Sequence, residues 1–114
     1  MGKAIMVVHT RPVSADKEDE YNKWYTEEHL ADVVSVPGFG SARRFVLSET
    51  PGFEGLPSND FKYMAIYELD TDDVEGAAKA MAEAFPSMSV SEALDTTAME
   101  ADFFVPIEGA ERSS

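Results

Sequence analysis

The sequence predicts an α+β fold in which a four-stranded antiparallel sheet carries two helices on one face. Three observations lead there. Four short segments, beginning at residues 4, 39, 61 and 97, are apolar or alternate with the two-residue period of strands. Two longer segments lie between them, and each opens on a cap-forming residue and follows the helical period. Proline, glycine or a cluster of turn formers marks most of the boundaries.

Ala4 to His9 is apolar and partly β-branched and reads as the first strand, ended by Arg11-Pro12. A helix follows, with Ser14 or Asp16 as N-cap and Glu18, Asp19 and Glu20 favouring the positive end of its dipole. It runs to about Val34, and Pro37-Gly38 stops it. Phe39 to Leu47 reads as the second strand. Ser48 to Asp60 holds Pro51, Gly52, Gly55, Pro57, Ser58 and Asn59 and is a loop, whose Phe53 and Leu56 are expected to tuck against the body as a lid. In the third strand, Phe61 to Leu69, alternation puts Phe61, Tyr63, Ala65, Tyr67 and Leu69 on one face. Asp70 to Asp73 caps an alanine-rich helix from about Val74 to Ala84, which Phe85-Pro86 breaks. Ser87 to Leu94 reads as one or two further helical turns. Thr97 to Ile107 is the last strand, with Met99, Ala101, Phe103, Val105 and Ile107 on one face. Residues 1–108 then form one domain, and 109–114 a flexible tail.

The order β-α-β-β-α-β is the ferredoxin-like split arrangement. With both helices on one side, the other sheet face lacks a cover, and its apolar strands call for a second copy of the chain. A chain of 114 residues buries a small core, so such pairing also helps stability.

Composition removes several functions. With 9 Lys plus Arg against 22 Asp plus Glu the formal charge is −13, which repels nucleic acid and anionic membrane surfaces. No cysteine is present, so disulfides, thiolate metal sites and cysteine nucleophiles are excluded. Ala4 to Val8 is too short for a signal-peptide core or a membrane span, and Met6 stands where a myristoylation signal at Gly2 needs Ser or Thr; a cytoplasmic protein is expected. Dinucleotide, phosphate-loop, zinc-protease and serine-hydrolase signatures are all missing.

The first helix is unusual. At 100° per residue, Tyr21, Tyr25, Glu28 and Asp32 fall on one stripe, Trp24 flanks it on one side, and His29 and Val33 flank it on the other. A plain amphipathic helix would bury Leu, Ile and Val. Aromatic rings imply burial, and buried ionisable groups need partners or shift their pKa values, which is what acid/base chemistry requires. The simpler reading makes Glu28 and His29 an edge of the core, with His29 held by a backbone carbonyl or by Asp32. His9 shares a strand face with Ile5 and Val7 and is expected to point toward the same interior, as a core histidine or a pocket residue. Two histidines and a carboxylate lack the spacing of a helical metal site, so no metal is expected. Arg43 and Arg44 face opposite sides of their strand; one can reach an anionic substrate group or a helix carboxylate, and a surface salt bridge is the simpler alternative. Tyr63 and Tyr67 share a face and can offer phenol hydroxyls, or simply pack.

Trp24-Tyr25-Thr26-Glu27-Glu28-His29-Leu30, followed by Val36-Pro37-Gly38-Phe39 and Ser41-Ala42-Arg43-Arg44-Phe45, resembles the EthD-like family of dimeric α+β-barrel proteins. Tyr63 to Leu69 is similar to that family's third strand, so the resemblance covers roughly the first 70 residues. It implies a subunit that dimerises through its sheets, a pocket between sheet and helices, and proton transfer by His, Tyr, Asp or Glu without metal or organic cofactor. By position it carries over His29, with Trp24, Tyr25 and Glu28 around it. A haem-degrading relative would place the histidine on the second helix, which has none.

Two functions follow as expectations. The first is a cofactor-independent enzyme performing an isomerisation, cyclisation or lyase step on a small, largely apolar oxygenated or aromatic metabolite. In it His29, Tyr25, Glu28 and Asp32 carry the chemistry, and Trp24, His9, Phe39, Phe45, Tyr63 and Tyr67 hold the substrate. The alternative is a non-catalytic binding or accessory protein with the same pocket; a cofactor-free monooxygenase is the third reading.

Overall fold

The computed structural model describes residues 4–114. Gly2, the position weighed for acylation, lies outside the described residues. The elements are β1 (Ile5–Thr10), α1 (Glu18–Trp24), α2 (Leu30–Val34), β2 (Phe39–Val46), β3 (Tyr63–Leu69), α3 (Val74–Ala84) and β4 (Glu100–Phe104). A 3₁₀ turn, Ala15–Lys17, leads into α1, and a π-helical turn, Tyr25–His29, joins α1 to α2 without a break in helical dihedrals. The sheet is antiparallel with strand order β2-β3-β1-β4, the order a β-α-β-β-α-β chain produces when both crossovers lie on one face.

Alternation decides what lies beneath the helices. Met6, Val8 and Thr10 of β1 and Tyr63, Ala65, Tyr67 and Leu69 of β3 are buried there, against Tyr21, Trp24, Tyr25, His29 and Val33 of the first helical run. Ile5, Val7 and His9 point the other way, onto the sheet face that no helix covers. This corrects the expected inward placement of His9: its ring packs at 5.4 Å from that of Phe61, away from the helices. Phe45 is on the same open face, since it pairs with Met64, the cross-strand partner of His9.

Two turns fix where α3 docks. Asp73 accepts a hydrogen bond from the Gly76 amide at 2.9 Å and caps the helix. Gly38, at φ +100°, turns the chain from α2 into β2, and a Cβ there would stand 3.0 Å from the Cβ of Ala77 on α3. Gly38→Ala is therefore expected to cost about 1–2 kcal/mol from the left-handed backbone alone, with more from the crowding, read as a lowered urea midpoint.

Three expectations are corrected. The loop after β2 does not tuck in: Phe53 and Leu56 are 82% and 67% exposed, and the segment makes no lid here. After α3 the chain forms a single 3₁₀ turn, Phe85–Ser87, and then runs as a strap to an isolated bridge between Pro12 and Leu94 instead of the further helical turns expected over Ser87 to Leu94. The strap is held by Val13 N to Ala93 O at 2.7 Å and Asp95 N to Arg11 O at 3.0 Å. β4 is shorter than its alternation suggests. Asp95 Oδ1 accepts from both the amide and the hydroxyl of Thr97, closing a local turn before the strand, and Pro106 has no amide to extend the ladder.

Candidate active site

The π-helical turn sets the geometry of the site. Leu30 N–H bonds Tyr25 O, five residues back instead of four. That one extra residue rotates everything after it, so the inward stripe Tyr21, Tyr25, Glu28, Asp32 expected of a regular helix becomes Tyr21, Tyr25, His29, Val33. Glu28 is exposed, and Asp32 is only partly buried. Both line a separate cleft on the outer side of the helix, with Ser35, Pro37 and Met88. The placement of these two carboxylates beside the pocket is thereby corrected.

Between the sheet and the helices lies a cavity of about 400 Å³. Its floor is Met6, Val8 and Thr10 of β1 with Tyr67 of β3, one wall is Tyr25, His29 and Val33, and the other is Ala78, Met81, Ala82 and Phe85. Met99, Ala101 and Phe103 complete it from the β4 side. The apolar lining is broken by few polar groups: the phenols of Tyr25 and Tyr67, the hydroxyl of Thr10 and the imidazole of His29.

His29 is 7% exposed. The Trp24 indole stacks on it at 4.7 Å and 25°, while Tyr25 meets it edge-on at 5.0 Å and Phe85 at 6.3 Å. Its Nδ1 is buried without a hydrogen-bond partner among the described residues. Burial holds the imidazole below its usual pKa, and the charge of Asp32 offsets this only in part, so the ring is neutral at pH 7. An orphaned buried nitrogen costs about 1–3 kcal/mol.

The phenols are organised. Tyr67 Oη donates to Tyr25 Oη at 3.2 Å, which leaves the Tyr25 proton free to be given away. Thr10 Oγ1 and Tyr21 Oη share a buried hydrogen bond of 2.6 Å beside them. Burial raises the pKa of both Tyr25 and Tyr67, so both remain protonated donors across the physiological range.

The other expected site residues are distributed away from the cavity. Trp24 stands behind His29, its Nε1 donating to Ser89 O on the strap at 3.0 Å. Phe39 is buried in the core at the start of β2. Tyr63 is at the far end of its strand, donating to Glu18 Oε2 and accepting from Asn22 Nδ2 at 3.0 Å. His9 and Phe45 line a depression on the open sheet face. Among the described residues Arg44 reaches no carboxylate; it bonds Asn22 and Thr26 on the helix. Thr10 was not singled out from the sequence, although it continues the Met6, Val8 alternation that marks the cavity floor.

No protein-family model matches the chain, and no curated protein does. Solved structures do match in shape. A proposed monooxygenase from Shewanella loihica PV-4 is 18% identical, with a TM-score of 0.55 over 95% of this chain and 98% of that one. HapK from Hahella chejuensis is 12% identical, with a TM-score of 0.56 over 97% and 98%. An ethyl tert-butyl ether degradation (EthD) family protein from Bacillus halodurans C-125 is 11% identical, with a TM-score of 0.50 over 93% and 100%. The chain has their fold. It is a ferredoxin-like α+β fold, and these neighbours include the EthD type to which the motif around His29 points. At such identities the likeness extends to architecture and not to reaction. Among the described residues, no helix is long and apolar enough to cross a membrane.

Proposed function

We propose that the protein is an acid/base enzyme for a small, largely apolar, oxygenated molecule, in which His29 moves a proton and Tyr25 receives the charge that develops. The observation that carries this reading is the neutral imidazole of His29 in the wall of an apolar cavity that also holds the Tyr25–Tyr67 pair. In the simplest step the imidazole takes a proton from a carbon next to a carbonyl. The C–H electron pair moves toward the carbonyl oxygen, the Tyr25 hydroxyl donates a hydrogen bond to the enolate, and the imidazolium returns the proton to the same carbon or, where a conjugated double bond makes a dienolate, to the γ carbon. Return to a different carbon is an isomerisation; capture of the enolate carbon by an electrophile in the same molecule is a cyclisation. Glu28 and Asp32 have no part in this step.

The test needs no knowledge of the natural substrate. Enolisable ring ketones and unsaturated lactones are incubated with the protein in D2O, and deuterium entry at the activated carbon is followed by NMR. Uptake catalysed by the protein is expected for ligands that stabilise it thermally. Thermal stabilisation with no uptake by any bound ketone or lactone would leave the binding-protein alternative, which the apolar cavity also supports.

The subunit is proposed to work as a homodimer. The sheet face opposite the helices carries Ile5, Val7, Phe45, Met64, Ile66 and Phe104, apolar residues interleaved with Arg43, Glu68, Glu100 and Asp102, and no helix among the described residues covers it. Light scattering at micromolar concentration is expected to give twice the chain mass, and Ile66→Glu at the centre of that face to give the monomer. A monomeric unaltered protein would overturn the pairing.

A further inference from the structure

Arg44 is held in an unexpected place for a cation on so acidic a chain. Among the described residues it forms no ion pair, although the sequence has 22 Asp plus Glu. Its Nη2 donates to Asn22 Oδ1 and its Nη1 to Thr26 Oγ1, each at 2.9 Å, so the planar fork spans one helical turn at the entry to the π-helical segment. The guanidinium carbon lies 4.5 Å from the ring centre of Tyr25, and 5.4 and 5.3 Å from those of Tyr21 and Tyr63. These are cation–π distances, and the charge is left for the phenols rather than neutralised by a carboxylate.

We propose that Arg44 is an electrostatic positioning residue of the candidate site, clamping the helix through Asn22 and Thr26 and strengthening the Tyr25 hydroxyl as a donor to a ligand oxygen. The proposal rests on the reading of the cavity as an acid/base site. Arg44 does not line the cavity, so it acts through Tyr25, which does. Burial is the largest effect on Tyr25 and raises its phenol pKa; the hydrogen bond from Tyr67 lowers it, neighbouring Tyr21 raises it, and the charge of Arg44 lowers it by less than either. Tyr67 and Arg44 therefore polarise the same proton from two sides, one across the sheet and one across the ring face.

The experiment uses the full chain and two probes of matched shape, 1-indanone and indane, the second without a carbonyl. The unaltered protein is expected to bind 1-indanone about tenfold more tightly than indane, the worth of one hydrogen bond polarised by a charge. Its bound carbonyl stretch is expected at lower frequency than in an alkane solvent. In Arg44→Met the carbonyl band is expected to move back toward the solvent value and the preference for 1-indanone to be lost, while indane binding stays within about twofold. If that variant does not fold, Arg44→Gln keeps a planar polar head for Asn22 and Thr26, lacks the charge, and is expected to move the band the same way. An unmoved band in a folded variant that still prefers 1-indanone overturns the assignment of Arg44 alone. Parallel loss of both probes overturns it too, by making Arg44 a packing residue. Equal binding of the two probes by the unaltered protein overturns the acid/base reading and this proposal with it.

Discussion

Replacing His29 by alanine is expected to lower protein-catalysed deuterium exchange about 10²–10⁴-fold, the range a positioned base contributes. The variant is expected to fold, because the imidazole Nδ1 has no protein partner whose hydrogen bond would be broken, and the surrounding ring faces remain. The pH dependence carries the stronger signature. The active form is neutral imidazole, and burial holds the folded pKa below the ordinary 6.5. Exchange by the unaltered protein is therefore expected to persist as pH falls past 6.5 and to fail only as the lowered folded value is crossed. Stability follows the same group. Between the folded value and 6.5 the unfolded chain binds the proton and the folded one does not, so stability is full above 6.5 and declines as pH falls through that window. His29→Ala is expected to remove both the acid limb of the rate and this part of the stability slope. Unchanged exchange in a folded His29→Ala protein would rule out the imidazole as the base.

The largest stability effect is expected at Trp24. Its indole is buried, stacks on His29, meets Tyr25 edge-on at 5.4 Å and ties the helix to the strap through Ser89 O. Truncation of such a residue costs about 3–5 kcal/mol. That is a large share of the roughly 5–15 kcal/mol available to a domain. Urea unfolding measures the loss, and Trp24→Phe, which keeps a ring but not the Nε1–H, separates the hydrogen bond from the packing at about 1 kcal/mol. The change also reaches the site. With the indole gone, water gains access to the imidazole, and the His29 pKa is expected to climb back toward 6.5 in an NMR titration, where the chain's only other histidine is His9. A His29 titration unmoved by Trp24→Ala would show that the indole is not what keeps the ring dry.

The sheet was legible because alternation is a strong signal, and all four strands fall within the segments it marked, although Phe61 precedes β3 and packs on His9 instead of sharing the face of Tyr63. Which face goes under the helices was not legible in β1, since Ile5 and Val7 are as apolar as Met6 and Val8; His9 was misplaced for that reason. β4 was overextended because the period of two runs past both ends of the paired segment, through Met99 before it and Val105 and Ile107 after it. Phe53 and Leu56 suggested a lid from their chemistry alone, and chemistry does not give a loop something to pack on. In the first helix the residue types were informative and the angular step was wrong. A 100° wheel puts Glu28 and Asp32 inward, an arrangement that would bury two carboxylates without partners. The register the chain adopts buries an imidazole and an isopropyl group in their place. A wheel redrawn with one residue skipped after Tyr25 satisfies burial and helicity together, and that conflict was the available clue. Arg44 could not be assigned because strand alternation gives its side and not its partners.

The π-helical turn has a consequence for lineage. A helix of this kind is reached by adding one codon to a regular helix, and it is undone by removing one. Loss of Thr26, Glu27 or Glu28 would restore the ordinary pitch while leaving Tyr25, His29 and Val33 facing inward, since the spacing of the inward residues would contract from four to three at that point alone. Homologous genes can therefore differ in length inside a buried helix, where insertions and deletions are otherwise purged, without exchanging a single inward side chain. A one-residue alignment gap between Tyr25 and His29 would mark a change of pitch and not a change of core.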